Sequence, residues 1–293
     1  MFTTVKEIWA NVLGFRMMGD RQAFTREEEI VRARFALNVL TEFDELRFRY
    51  TEQFKDEKSR LTALILDTDA AKELCPEYGT SPEGRIRYSV CAYGPAKMFI
   101  RRLFKQEAAS KRVQIVLFSS GGTASGKSTA MKIWHARGRD VLVVDGTLSD
   151  LRTARTQVRY ALRKKKIVII AHVFSPVEIA MRRALDRAVE RGRILTIDTF
   201  AQTHFKSQRT VFDMDDEFGN HPSFAIRILD RRSEQGSVSD LLFLKSNRYE
   251  TFIRVLERSK QAFADECERR RLEGSPLPED IKAAFLRVGR RVG

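Results

Sequence analysis

The rhythm of apolar positions changes along this chain. In Val113-Gln114-Ile115-Val116-Leu117-Phe118 and again from Ile167 to Phe174 apolar residues run almost unbroken and many are β-branched, the pattern of strands buried on both faces. Val141-Leu142-Val143-Val144-Asp145 is a shorter run of the same kind that ends in an acid. Between these runs the spacing lengthens to that of a helix, over residues 149–164 and again from Ser175 to Arg191. For the latter, Ser175 is the expected N-cap, Pro176 lies in the first turn, Glu178 closes the box and Gly192 ends the helix. Weaker strands are predicted at Ile194–Ile197, Phe224–Leu229 and Leu241–Leu244, followed by a long amphipathic helix, Tyr249–Leu272, and a short one from near Pro278.

The first 110 residues read as helical. Thr25 with Glu28 has the spacing of a capping box ahead of Arg26–Leu64, whose apolar positions suit one long helix or a bent pair. Asp67–Tyr78 predicts a short helix, Ser81 to Gly84 a loop, and Pro95–Ala109 a further helix. The expected division is a helical N-terminal region over 1–110, a core over 111–246, and C-terminal helices over 247–293. Strands that alternate with helices imply an α/β fold with a parallel sheet and helices on both faces.

Where the first strong strand stops, the chain reads Ser119-Ser120-Gly121-Gly122-Thr123-Ala124-Ser125-Gly126-Lys127-Ser128-Thr129, and Ser128 onward reads as a helix. Gly121, Gly126, Lys127 and Ser128 fall at the spacing of a phosphate-binding loop (G-x-x-x-x-G-K-[ST]), and the strand-loop-helix setting agrees. The glycines let backbone N–H groups point at phosphate oxygens. Residues 121–129 are therefore the expected ATP site, with Lys127 reaching the terminal phosphates and the Ser128 hydroxyl on Mg²⁺. The fold class is accordingly a P-loop kinase-type α/β sheet.

Composition narrows the field. The 293 residues carry a net charge of +14, so nucleotides, nucleic acids and acidic proteins are all attracted. No Lys/Arg block reaches five residues and the aromatics are not interleaved with basic residues as a stacking platform requires, so nucleic acid is not the favoured partner. No apolar stretch approaches the ~20 residues of a membrane span. Cys75, Cys91 and Cys267 lie far apart, as reduced thiols do, and the N-terminus lacks the long apolar core of a secretory signal. A cytoplasmic protein is expected.

Phosphoryl transfer needs a carboxylate to take the proton of the attacking hydroxyl, and cations around the transferred group. Asp145, at the carboxyl end of its strand, is the candidate base and a second Mg²⁺ ligand; Thr147, two residues on, is a candidate substrate contact, and Asp150 a helix cap. Arg183, Arg187 and Arg191 recur every four residues on one helix face, and Arg193 follows Gly192. Such a row can act as a lid that stabilises charge in the transition state. His204 suits a substrate contact or a structural hydrogen bond, while Asp213, Asp215, Asp216 and Glu217 suit a solvated turn.

The loop 121–129, the strand end Asp145-Gly146-Thr147, the segment Val173-Phe174-Ser175-Pro176 opening an arginine-bearing helix, and Gly192-Arg193-Ile194-Leu195 with His204 downstream together resemble the zeta toxin family of kinases, over about residues 65 to 230. The resemblance implies an ATP-dependent kinase that phosphorylates the sugar 3′-hydroxyl of UDP-N-acetylglucosamine, poisons peptidoglycan precursor supply, and is neutralised by a small helical antitoxin. A related effector branch phosphorylates nicotinamide dinucleotides. Carried over, Lys127 and Ser128 fall to ATP and Mg²⁺, and lid arginines fall near Arg183, Arg187 and Arg193. The chain departs from the family at Thr147, where well-studied members carry the catalytic Asp. The rival readings are a polynucleotide kinase, favoured by the charge, and a protein that binds ATP in a degraded site without turning it over.

Overall fold

The computed structural model describes residues 24–53, 64–79, 81–133, 140–192, 195–233 and 236–287. The described residues fall into two compact units, one of residues 24–52, 68–79 and 81–101, the other of residue 53, residues 64–67 and the described residues from 102 to 287.

In the first unit, α1 (Arg26–Thr41) and α2 (Phe43–Glu52) are the bent pair. The capping box at Thr25 is present: its hydroxyl accepts from the Glu28 N–H at 3.3 Å, and the Glu28 carboxylate accepts from the Thr25 N–H at 2.7 Å. Two short helices follow, α3 (Thr68–Lys72) and α4 (Pro76–Gly79), then α5 (Pro82–Ala109). The loop expected from Ser81 to Gly84 is instead the start of α5, since proline is well suited to a helix's first turn. Phe43 and Tyr50 each meet Phe99 at 5.4 Å between ring centroids, the centre of this unit's core.

The second unit is a six-stranded sheet, ordered β1-β3-β2-β4-β5-β6, flanked by helices. Its strands are β1 (Leu64–Asp67), β2 (Ile115–Ser120), β3 (Val141–Asp145), β4 (Ile167–Phe174), β5 (Phe224–Asp230) and β6 (Ser237–Ser239). All neighbours run parallel except β5 and β6. Val116, Phe118, Leu142, Val168 and Ile170 are fully buried, which explains the unbroken apolar runs of the central strands. Its helices are α6 (Lys127–Ile133), α7 (Leu151–Arg163), α8 (Val177–Arg191), α9 (Ile197–Phe218), α10 (Leu241–Ser246), α11 (Phe252–Leu272) and α12 (Glu279–Leu286). Val177, Met181 and Leu185 of α8, Phe200 of α9, Phe263 of α11 and Phe285 of α12 share one core.

Several local expectations are corrected. The acid-ended run Leu64–Asp67 is a strand, not the tail of a helix, held by pairing with β3. Leu241–Leu244 lies in a helix because the Asp240 carboxylate caps it, accepting from the Phe243 N–H at 2.9 Å; the last strand lies just before it. Of the strand expected at Ile194–Ile197, Thr196 is the N-cap of α9 and Ile197 its first residue, while Ile194 lies outside the described residues. Helix α11 begins at Phe252 behind its N-cap Thr251, not at Tyr249. Pro176, not Ser175, is the cap position of α8, and it supplies no side-chain hydrogen bond. Gly192 does end α8, with φ +63. Asp213 to Glu217 belong to α9 rather than a turn, and Glu217 pairs with Arg155 at 2.5 Å and Arg159 at 2.6 Å on α7.

Candidate functional site

The glycine-rich loop leaves the carboxyl end of β2 and enters α6 at Lys127. Gly121 has φ +134 and Gly126 φ +93, conformations that side chains strain. A Cβ on Gly121 would also stand 2.5 Å from the Val173 carbonyl oxygen. The Gly121 N–H donates to the Thr147 carbonyl at 3.3 Å, tying the loop to the segment after β3. Lys127 curls back, its Nζ donating to the carbonyl oxygens of Gly121 at 3.0 Å and Gly122 at 2.9 Å. Burial pushes its ammonium down to about 8, Asp145 and Asp67 pull it upward, and Arg187 adds to the depression.

Helix α9 supports the loop from below. The Thr123 N–H donates to Thr203 Oγ1 at 3.1 Å, and His204 Nε2 lies 3.0 Å from the Thr123 carbonyl oxygen, where it donates in its neutral form. The ring packs so closely on Gly122 that a Cβ there would stand 2.3 Å from it. Of the two roles expected for His204, a substrate contact or a structural hydrogen bond, the structure shows the hydrogen bond, to the loop backbone. His204 is buried, its ring lies tilted against Phe200 at 4.5 Å between centroids, and burial holds its pKa down at about 4. A second buried histidine, His172 on β4, shares a hydrogen bond of 3.0 Å with Ser120 Oγ at the end of β2; burial lowers it to about 3, with Lys127 adding to the effect.

The carboxylates come from neighbouring strand ends. Asp145 closes β3 beside the loop, and Ser119 Oγ donates to its Oδ1 at 2.5 Å while accepting from the Gly146 N–H at 3.0 Å. Asp67 closes β1 and is Asp145's partner in the parallel register, so two acids end adjacent strands within electrostatic reach of Lys127. Thr147 Oγ1 hydrogen-bonds with Ser149 Oγ at 2.8 Å, and Asp150 caps α7 as expected, accepting from the Thr153 N–H at 3.2 Å. Ser128 is exposed in the first turn of α6, and Thr129 follows it.

Of the arginine row, Arg183 reaches the loop: its Nη1 donates to the Ser125 carbonyl at 3.5 Å and lies 3.3 Å from the point a Gly126 Cβ would occupy. Arg187 is close enough to depress Lys127. The side chain of Arg191 and the whole of Arg193 lie outside the described residues. A further arginine, Arg231, directly follows β5 and points its Nε at the same loop, 3.6 Å from the Gly126 Cβ position.

No family model matches the chain, and no curated protein matches it. Among solved structures it is similar to a chain from the PezAT chromosomal toxin–antitoxin system of Streptococcus pneumoniae, with 12% identity over 84% of this chain and 98% of that one and a TM-score of 0.39.

Three residues at this site escape a reading of the sequence by motif: Ser119, Asp67 and Arg231. Ser119 precedes the motif's first glycine and carries no pattern of its own. Asp67 does carry a signal, since Leu64-Ile65-Leu66-Asp67 repeats in miniature the acid-ended run of β3. Arg231 follows a strand predicted to stop at Leu229, and only the extension of β5 to Asp230 sets it at a strand's carboxyl end, where ligands of parallel sheets bind.

The buried histidines make stability pH-dependent in a defined window. An unfolded histidine titrates near 6.5, whereas His204 and His172 titrate near 4 and 3 in the fold, so the unfolded chain binds more protons between these values and stability falls as pH falls. Between pH 7.5 and 5 the expected loss is about 2 kcal/mol for each histidine, before most carboxylates titrate. Urea denaturation at the two pH values measures it, and equal midpoints would refute the assignment.

Proposed function

We propose that the protein is an ATP-dependent kinase of zeta-toxin type that phosphorylates a hydroxyl of a sugar nucleotide resembling UDP-N-acetylglucosamine. The observation that carries this reading is the phosphate loop itself, with Lys127 curled over it, strand-end carboxylates on one side and Arg183 with Arg187 on the other. The loop glycines and backbone from Gly121 to Thr129 cradle the phosphates. Lys127 and the arginines stabilise charge on the transferred group. Asp145, oriented by Ser119, accepts the proton of the attacking hydroxyl, and Asp67 lies beside it as a second acid where Thr147 offers none. Thr147 lines the approach of the acceptor.

A divalent cation fits the donor chemistry here. Mg²⁺ commonly takes one or two protein oxygens and completes its shell with phosphate and water, and the exposed Ser128 hydroxyl and the Asp145 carboxylate are oxygens of that kind. Bound there, it would neutralise the β- and γ-phosphates. We include in the proposal a cytoplasmic site of action and a small helical antitoxin as partner. Among the described residues no helix is long and apolar enough to cross a membrane.

The test is γ-labelled ATP with Mg²⁺ against a panel of UDP-sugars, nicotinamide dinucleotides and 5′-hydroxyl RNA, run with the wild type, Asp145→Asn and Asp67→Asn. Label is expected on a UDP-sugar, with Asp145→Asn about 10²- to 10⁴-fold slower. Loss confined to Asp67→Asn would move the base to β1. Label on dinucleotide or RNA would replace the substrate class, and ATP binding without transfer would replace the kinase with a binding protein.

A further inference from the structure

We propose that Arg231 is a phosphate-binding residue of this loop: its guanidinium takes a phosphate oxygen of the nucleotide that residues 121–128 hold. The inference rests on the nucleotide-binding reading of the loop and adds to it a residue that no motif contains.

Arg231 is 5% exposed, and its Nε and Nη1 have no hydrogen-bond partner among the described residues. The neighbouring Asp230 carboxylate is turned to Arg232, Oδ1 accepting from its backbone N–H at 3.0 Å and Oδ2 from its Nε at 2.8 Å. A buried guanidinium with open donors is costly, since a charge removed from water must be repaid by an anion with good geometry. The Arg231 Nε lies toward the loop, and Nη1 lies 3.4 Å from the point a Gly236 Cβ would occupy. Arg231 Nε and Arg183 Nη1 lie 3.6 Å and 3.3 Å from one point above Gly126, so two guanidinium groups converge on the glycine that precedes Lys127. Two further open donors lie on neighbouring elements: Ser125 Oγ in the loop and Ser175 Oγ just past β4 are both buried without partners.

The placement is rigid. The Arg231 N–H donates to the Phe174 carbonyl at 2.8 Å, which anchors the residue across the ends of β4 and β5. Its stem lies under Gly236, where a Cβ would stand 3.0 Å from Arg231 Cδ. A planar fork held in this way loses little freedom on binding, and forked N–H donors match phosphate oxygens.

Thermal unfolding and ATP titration of the full chain test the assignment in wild type and Arg231→Met. Without nucleotide the Met variant is expected to melt at the wild-type temperature or above, because removing an unpaired buried charge relieves strain. Its affinity for Mg²⁺-ATP is expected to fall about 10- to 100-fold, the range of a hydrogen bond to a charged group. A larger loss for ATP than for ADP assigns the terminal phosphate; an equal loss assigns an inner one. Wild-type ATP affinity in the variant overturns the role of Arg231 and leaves the loop reading intact. A wild type that binds no nucleoside triphosphate overturns the loop reading and this inference with it. Should the Met variant fail to fold, Arg231→Gln is read by the same affinity criterion.

Discussion

Lys127→Ala is expected to lower phosphoryl transfer about 10³-fold or more while the melting temperature stays close to that of the wild type. The size follows from what the side chain does. In the proposed mechanism it is a cation aimed at the place where charge spreads over the transferred phosphoryl group, and deletion of one such preorganised group costs about 10²- to 10⁵-fold in comparable systems. Stability is spared because the ammonium is itself partly desolvated: burial has already pushed it down to about 8, so its loss removes a charge the fold disfavours, and Gly121 and Gly122 give up two long-side-chain contacts at the rim of a loop. Steady-state rates with labelled ATP, set beside thermal melts, separate the two effects. The wild type carries a second signature. Its ATP affinity should weaken as pH rises past about 8 and Lys127 loses its proton, whereas the Ala variant should lack this limb. Activity within tenfold of the wild type would remove Lys127 from the mechanism.

Gly122→Ala should abolish nucleotide binding and destabilise the fold by about 2–3 kcal/mol, the upper range of overpacking. Nothing in the backbone angle of Gly122 forbids alanine; the obstacle is the His204 ring 2.3 Å from the new methyl group. The ring cannot step aside cheaply, because Nε2 is committed to the Thr123 carbonyl and the face to Phe200. The loop must therefore lift, and lifting breaks the Thr123 to Thr203 hydrogen bond and shifts the phosphate-binding N–H groups. His204→Ala makes room, so Gly122→Ala/His204→Ala should be more stable than the sum of the single losses predicts, a coupling a double-mutant cycle reads from urea midpoints. Additive losses would show that the ring and the glycine do not meet in solution.

These predictions draw on residues of very unequal legibility. The loop stands out in the sequence because a phosphate-binding loop requires glycine, lysine and serine at a fixed spacing, and that spacing needs no partner to be recognised. Arg183, Arg187 and Arg191 were readable as a row on one helix face; of these Arg183 reaches the loop and Arg187 comes within electrostatic reach of Lys127, while the Arg191 side chain lies outside the described residues. His204 was readable only as a candidate, since a histidine on a long helix has no spacing that tells a buttress from a ligand. Leu241–Leu244 shows how short apolar runs mislead: four such residues suit a strand and a helix equally, and the Asp240 cap decides between them.

What the sequence determined by itself was local or periodic: the buried central strands, the capped helix at Thr25, the glycine that ends α8, and the order of strand, loop and helix around Lys127. What the tertiary structure decided was adjacency across large separations in the chain. Asp67 stands beside Asp145 because β1 pairs with β3, His204 lies under Gly122 because α9 crosses beneath the loop, and Arg231 points at Gly126 because β5 ends beside β4. Each of these residues is ordinary in its own segment. Periodicity records which face a residue takes on its own element, while the neighbour it meets depends on how elements tens of residues apart are ordered in one sheet, and that order is set by packing the whole core at once.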